Sequence, residues 1–375
     1  MSKGFKFDRL VARRVQIPLK SPFRISVGEV TMKDFVVLEA QCGPWVGWGE
    51  AAVDGVPFYT TETSETALSI GRTVLAPLMR SRAWSDPEEW VEAMEGIRGH
   101  SFAKAAFESV LWDVLGQSRG SSVAHLLADD PSESQPWVQV GPSIGIKGTP
   151  ESLVETIAQE LAKGYRRIKI KVCPGQDVEY IEAARAAYPD VEMMVDANSA
   201  YQPHDIEHLA SWDRFGLMMI EQPLDHDDLW FHRELCRRMK TPICLDESIQ
   251  TPHLTRCALE MKAADIVNIK VGRVGGLVDS KRVHDLCRKA GTPVWIGSRL
   301  GSGIAEAGRL AAASLPGATY PSDVGAGLAY LTDDIVDDWF EVRDGCEVKV
   351  PDGPGLGIRV NRDKLEKYSV ETYEW

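Results

Sequence analysis

The amino-acid sequence predicts an α/β fold, a (β/α)8 TIM-type barrel joined to an α+β domain, and three observations carry that expectation. Lys171, Asp196, Glu221, Asp246 and Lys270 recur at intervals of 24 or 25 residues, each closing a short apolar run. One βα unit takes about that length, so the spacing sets one charged group at the C-terminal end of each of five successive parallel strands. From Trp137 onward, aliphatic runs alternate with helical patterns through eight strands, as buried parallel strands do. The competing architecture, a doubly wound sheet, lacks a GxGxxG turn or a GxxxxGK[ST] loop to support it.

Residues 1–133 read as the α+β domain. Leu10–Pro18 and Asp34–Gln41 are expected strands joined through the loop Ser21–Gly28, and Val46–Glu50 adds a third. Helical patterns follow at Thr63–Met79, Pro87–Ile97 and Ser101–Leu115, the last with Ala106, Val110 and Val114 on one stripe. PSESQP marks the join to the barrel, residues 134–325. There the strands are VQVGPSIGI, RRIKIKV, EMMVDAN, LMMIEQP, PICLDES, DIVNIKV, PVWIG and a weaker one near Thr319–Ser322. Helices are expected at 151–163, 178–187, 203–212, 227–239, 251–262, 276–290 and 304–314. Residues 326–375 revert to strand-like FEVRDG and CEVKV, a tail expected to return to the first domain.

Composition narrows the function classes. The 375 residues are 44% hydrophobic, ordinary for a globular chain, and the net charge of −13 disfavours nucleic acid or an anionic membrane as partner. No apolar stretch approaches the roughly 18 to 20 residues that span a bilayer, and MSKGFKFDRL lacks the apolar core of a signal peptide. A cytoplasmic location is the expectation. The seven cysteines form no CxxC pair, so neither a disulfide framework nor a zinc site is indicated. His204 and His208 have ligand spacing but lack the HExxH order, and a solvated helix face is the expected reading.

Strand alternation decides which charges meet. In RRIKIKV, Lys169 and Lys171 share the inward face while Ile168 and Ile170 point to the helices. The same parity turns Cys244 and Asp246 inward and Leu245 and Glu247 outward. Asp196 shares its face with Asn198, and Lys270 with Asn268. Unpaired charge inside a barrel costs several kcal/mol, so these groups need one another or a cation. Asp196, Glu221 and Asp246 offer carboxylate oxygens that suit Mg2+, with Mn2+ as a substitute, and no His or Cys stands among them to favour zinc. Burial and a nearby cation lower a lysine's pKa, so Lys171 or Lys270 is a candidate base for removing the α-proton of a carboxylate substrate, with the metal stabilising the enediolate. Lys169 sits beside them.

KIK, DAN at 196–198, IEQP at 220–223, LDES at 245–248, NIKVGRVGG at 268–276 and GWGEA at 47–51 together resemble the enolase superfamily, muconate-lactonizing subgroup. They are most similar to the o-succinylbenzoate synthase and N-acylamino acid racemase family. The resemblance implies an α+β capping domain over the barrel, Mg2+ on Asp196, Glu221 and Asp246, catalytic Lys171 and Lys270 with Lys169 beside them, and a homo-oligomer. It implies racemisation of N-acylamino acids or o-succinylbenzoate synthesis by dehydration, with dipeptide epimerases and cycloisomerases as neighbours. Arg273 resembles an arginine tied to racemase activity there. A metal-independent Schiff-base lysine aldolase is the alternative from a different class.

One segment departs from the family pattern. Where GGMxETG is usual, the chain reads Gly297, Ser298, Arg299, Leu300, Gly301, Ser302, Gly303. Arg299 replaces an apolar residue and Gly301 an acid, so Arg299 is expected to anchor a second anionic or carbonyl group. Ser298 and Asn198 join it as candidate substrate contacts. The loops Ser21–Gly28 and Gly55–Thr60 supply Phe23 and Tyr59 as expected lid residues.

Overall fold

A computed structural model describes residues 4–325, 327–337 and 340–375. Residues 1–3, 326, 338 and 339 lie outside the described residues, and with them the first positions of the expected capping domain and tail. The chain opens with three antiparallel strands, β1 (Arg9–Ile25), β2 (Gly28–Cys42) and β3 (Trp45–Ala51). The expected loop Ser21–Gly28 is mostly strand. Phe23, Arg24 and Ile25 pair with Val30, Glu29 and Gly28 after a register shift beyond Pro18, so the hairpin runs on to a tip at Ser26 and Val27. That tip reaches the barrel, where the Ser26 hydroxyl donates to the Asn198 carbonyl (3.2 Å) and Ile146 N–H to Arg24 O (2.8 Å).

The helix Ser101–Arg119 packs directly on β3, and the glycines of GWGEA are the reason. A Cβ at Gly49 would stand 1.9 Å from the Ala106 carbonyl oxygen, and one at Gly47 2.7 Å from that of Val110. The expected helix Thr63–Met79 is interrupted by a π-helical stretch, Gly71–Leu75. Gly71 leaves space for the Trp375 ring, which a Cβ there would approach to 2.5 Å.

The barrel region begins with β4 (Trp137–Gln139), which pairs outside the parallel sheet, and β5 (Ser143–Ile144), the first strand of that sheet. The expected single strand VQVGPSIGI is thus divided, because Pro142 donates no hydrogen bond and Gly141 packs against Arg167, leaving room for no side chain. Six parallel strands follow: β6 (Arg167–Lys171), β7 (Glu192–Asp196), β8 (Ile220–Glu221), β9 (Ile243–Leu245), β10 (Ile266–Ile269) and β11 (Val294–Ile296). They hydrogen-bond in chain order from β5 to β11. The weak eighth segment is no ladder, but it closes the ring. Thr319 and Asp323 N–H bond to Val294 and Ile296 carbonyls, while Ser322 exchanges bonds with Gln139 and Gly141.

The tail divides between two places. Strands β12 (Val342–Arg343) and β13 (Glu347–Lys349) form a small sheet with β4, and β14 (Ser369–Glu374) pairs antiparallel with β1. Inside the barrel, Met194, Met219, Cys244, Ile266 and Trp295 form an apolar floor. The alternate residues Ile168, Ile170, Val195 and Ile220 pack outward, so the expected parity holds along β6 to β8.

Gly49→Ala is expected to lower stability by about 1–3 kcal/mol through overpacking against a backbone carbonyl. A denaturant midpoint unchanged from the wild type would show that β3 and its helix move apart freely.

Candidate active site

Parallel pairing sets the height of each charged group. Lys171, Asp196 and Glu221 stand level, and Glu221 pairs across to Cys244, which raises Asp246 two residues above that layer. The regular spacing therefore yields a rising ring rather than a flat one. All three acids are fully buried.

Each acid is met by a base from another strand of the ring. Lys171 Nζ donates to Asp196 Oδ2 (2.5 Å) and Asn198 Oδ1 (2.8 Å). Lys169 Nζ lies 3.1 Å from Glu221 Oε2 and 3.3 Å from Asp196 Oδ2, and it also pairs with Asp323. Lys270 Nζ donates to Asp246 Oδ2 (2.7 Å), whose other oxygen takes Arg273 Nη1. Burial opposes the charge on Lys169, but Asp323, Glu221 and Asp196 outweigh it and hold the amine well above the usual lysine range. Burial, then Asp196 and Asp246, push the Glu221 carboxyl well above its usual value. Asp196 and Asp246 go the other way: burial resists, but the adjacent cations hold both below the ordinary range.

The backbone turns sharply just past the strand ends. Asn198 (φ 44°), Ser199 (φ 61°) and Gln222 (φ 37°) all occupy the left-handed region, a conformation that costs free energy and is held here by the surroundings. Asn198 N–H bonds back to Asp196 Oδ1 (3.0 Å), and Gln222 Oε1 accepts the Asp246 (2.9 Å) and Ser248 (3.2 Å) N–H groups. The loops thereby orient the acids they follow.

Tyr59, expected as a lid residue, stands at the centre. Its hydroxyl accepts from Lys270 Nζ (2.6 Å) and Arg273 Nη2 (2.8 Å) and donates to Asp246 Oδ2 (3.3 Å). Phe58 and Tyr59 line two cavities and so form the wall between them. One, about 80 Å3, is lined by Lys171, Lys270, Phe23, Ser298 and Arg299 among others. The other, about 450 Å3, opens past Asn198, Glu247 and Arg273. A cavity of about 670 Å3 between Phe5, Trp45 and Arg119 holds none of the barrel-mouth charges.

Phe23 also meets the Tyr330 ring edge-on, at 5.6 Å between centroids. Ser298 Oγ donates to Glu306 (2.9 Å) and accepts from Arg309 (3.0 Å), which fixes the loop after β11. Arg299 pairs with Asp54. His204 is 80% exposed and His208 pairs with Asp177 (2.9 Å), so neither reaches the barrel mouth.

Glu247 corrects the sequence reading. It was expected to point outward, but β9 ends at Leu245, so strict alternation stops and Glu247 joins the mouth, accepting from Asn198 Nδ2 (2.8 Å). Asp323, Lys33 and Asp54 were not singled out. Asp323 sits beyond the weakest strand, and Lys33 and Asp54 belong to the cap; no local pattern marks them.

Among the described residues, no group of three or more His, Cys, Asp or Glu is arranged to hold a metal ion. As placed, the carboxylates are turned onto lysine and arginine. The donor chemistry nevertheless suits a hard cation. Asp196 and Glu221 are adjacent and interact directly, Glu247 Oε2 and Asn268 Oδ1 are buried without partners, and a cation would relieve the repulsion acting on Glu221.

The sequence matches the family model for the mandelate racemase and muconate lactonizing enzyme N-terminal domain over residues 9–128, and the enolase C-terminal domain-like model over 152–364. The chain belongs to the enolase superfamily. It is 42% identical to an o-succinylbenzoate synthase of Geobacillus kaustophilus, over 98% of this chain and 96% of that one. It is 38% identical to an N-succinylamino acid racemase of Amycolatopsis, over 97% and 98%. A crystal structure of an enolase superfamily member from Listeria innocua superposes with a TM-score of 0.93 at 33% identity, covering 99% of both chains. This superfamily member is thus an enzyme of the isomerase and lyase class, with a capping domain over its barrel. No described helix is long and apolar enough to cross a membrane.

Cap and barrel meet at a buried acid. Glu50 on β3 accepts the Ser302 N–H (3.1 Å) and hydroxyl, and burial pushes its carboxyl up to about 7. The folded state keeps a proton there that the unfolded chain, with the ordinary glutamate value of 4.5, releases. This group's contribution is therefore most favourable at low pH and declines as pH rises from 4.5 to about 7. Glu50→Gln is expected to flatten that part of the stability profile, as read from denaturant midpoints across the window. An unaltered slope would show that Glu50 titrates normally.

Proposed function

We propose that the protein abstracts the α-proton of a small carboxylate substrate with the help of Mg2+, racemising N-acylamino acids or forming o-succinylbenzoate by loss of water. One observation carries the reading: Lys171 and Lys270, from the second and sixth strands of the ring, line the same cavity beside three buried carboxylates. An α-carbon lying in that cavity presents one face to each amine. One lysine takes the proton, the C–H pair moves into the substrate carboxylate, and the other ammonium returns a proton to the opposite face. In the dehydration, that second proton goes to the departing hydroxyl instead, releasing water.

Asp196, Glu221 and Asp246 would hold the ion, and Mg2+ there would supply positive charge opposite the enediolate. Lys169, held charged by three acids, orients Glu221 and Asp196 rather than moving protons. Asn198 ties Lys171 to Glu247, and Arg273 with Tyr59 fixes Lys270. The relatives named for o-succinylbenzoate synthesis and for N-succinylamino acid racemisation support both branches of the proposal. They share the proton-removal step, which either outcome requires.

NMR of α-proton exchange in D2O, with N-acylamino acids as substrates, tests it. Exchange is expected to stop on chelation and return with Mg2+, and Lys171→Ala or Lys270→Ala to slow racemisation by roughly 10²–10⁴-fold. Undiminished exchange in chelator, or a substrate adduct trapped on lysine by borohydride, would instead favour a Schiff-base aldolase.

A further inference from the structure

We infer that Lys33 and Arg299, held in place by Asp54, recognise a second anionic group at the end of the substrate remote from its reacting carbon. The inference rests on the proposed proton transfer and assigns residues to the recognition of the substrate's far end. Lys33, on β2, is 2% exposed and donates to Asp54 Oδ1 (2.6 Å) and the Val53 carbonyl (2.6 Å). Arg299 comes from the barrel, in the loop after β11, and its Nη2 pairs with the other oxygen of Asp54. The Arg299 side chain is 11% exposed, and its Nε is buried with no partner.

Two basic groups share one carboxylate, and burial together with the nearby Arg299 pushes the Lys33 amine well below the usual lysine range, so the cluster is short of negative charge in a buried place. The neighbouring acids are committed elsewhere: Asp34 to Arg14 and Ser64, and Glu50 to Ser302. Burial and the nearby Arg309 push Arg299 down to about 9, as expected of a cation with too little negative charge around it. A cationic arm would be repelled, and both Asp54 oxygens are already taken. An anionic arm would meet the free Arg299 Nε–H, and its charge would favour the ammonium form of Lys33.

Position connects the cluster to the chemistry. Lys33, Asp54 and Arg299 line the same cavity as Lys171 and Lys270. Arg299 Cζ lies 4.2 Å from the centroid of the Tyr59 ring and Lys270 Nζ 5.0 Å from it. The two cations are thus separated by at most the sum of those distances, a span that a short acyl or side chain covers. A carboxylate in such a place would join cap to barrel, since Lys33 and Asp54 belong to one and Arg299 to the other.

The anion has two possible sources, the acyl arm or the amino-acid side chain. Calorimetric titration with Mg2+ present compares N-succinylglycine with N-butanoylglycine for the first, and N-acetylglutamate with N-acetylnorvaline for the second. Wild-type enzyme is expected to prefer the charged member of one pair by about tenfold or more. Arg299→Met should remove most of that preference, whereas Asp54→Asn, which frees Arg299, should keep or enlarge it. A purely structural cluster would instead give equal losses for charged and uncharged members in both variants. That result, or a wild type without charge preference in either pair, overturns the inference. Proton exchange by the wild type, followed on N-succinyl and N-butanoyl amino acids, separates the two levels. Exchange without charge preference removes only the anion site, while charge preference without exchange removes only the proposed reaction.

Discussion

Placing ionised groups inside the mouth of a barrel, where water cannot solvate them, is the constraint around which this molecule is arranged. A buried charge is tolerated only when it is paired and hydrogen-bonded, and removing one partner leaves the other exposed to the full desolvation cost. The pairing here runs around the ring. Arg167 reaches the Pro142 and Pro321 carbonyls and Asp323, Asp323 holds Lys169, Lys169 holds Glu221 and Asp196, and Asp196 holds Lys171. The eighth segment joins the ends of the sheet through scattered backbone bonds, and these side-chain pairs add to them. The groups that support chemistry are therefore also part of what closes the barrel.

The cap is held by the same kind of interaction. Glu62 accepts the N–H groups of Phe102 (2.9 Å) and Ala103 (3.1 Å), satisfying the start of the helix that packs on β3. Asp54, at the other end of the intervening segment, is fixed by Lys33 and Arg299. Tyr59 lies between these anchors, and its hydroxyl is therefore delivered to Lys270 and Arg273 by a segment tethered at both ends. The wall between the two cavities is thus fastened to three side chains at the barrel mouth, Lys270, Arg273 and Asp246.

Much of this was legible in the sequence, and the reasons separate what was from what was not. The spacing of Lys171, Asp196, Glu221, Asp246 and Lys270 reports one βα unit per interval, and strand parity told Lys169 and Lys171 from Ile168 and Ile170. Both are local periodicities. Parity failed at Glu247 because it presumes that a strand continues, and β9 stops two residues earlier. VQVGPSIGI read as one strand because its apolar pattern is unbroken, although Pro142 cannot join a ladder there. Asp323 was hidden in a segment whose ring-closing bonds come from distant residues, and Lys33 and Asp54 acquire meaning only when cap and barrel meet. Residues defined by long-range contact leave no periodic trace.

The loop after β11 shows how such a contact can explain a departure from the family pattern. At Gly301, where an acid is usual, a Cβ would come 2.3 Å from Glu50 Oε1. The cap's own carboxylate occupies that space and takes the Ser302 N–H, so a side chain at 301 would displace the acid that joins the two domains. Two positions earlier the loop carries Arg299, where an apolar residue is usual, and meets Asp54 from the cap. Arg299 is the loop's cation where it faces the lysine-lined cavity. Because Asp54 comes from the cap and Arg299 from the barrel, the charge at that cavity is set jointly by two domains. A change in either would alter the fit of the cap on the barrel.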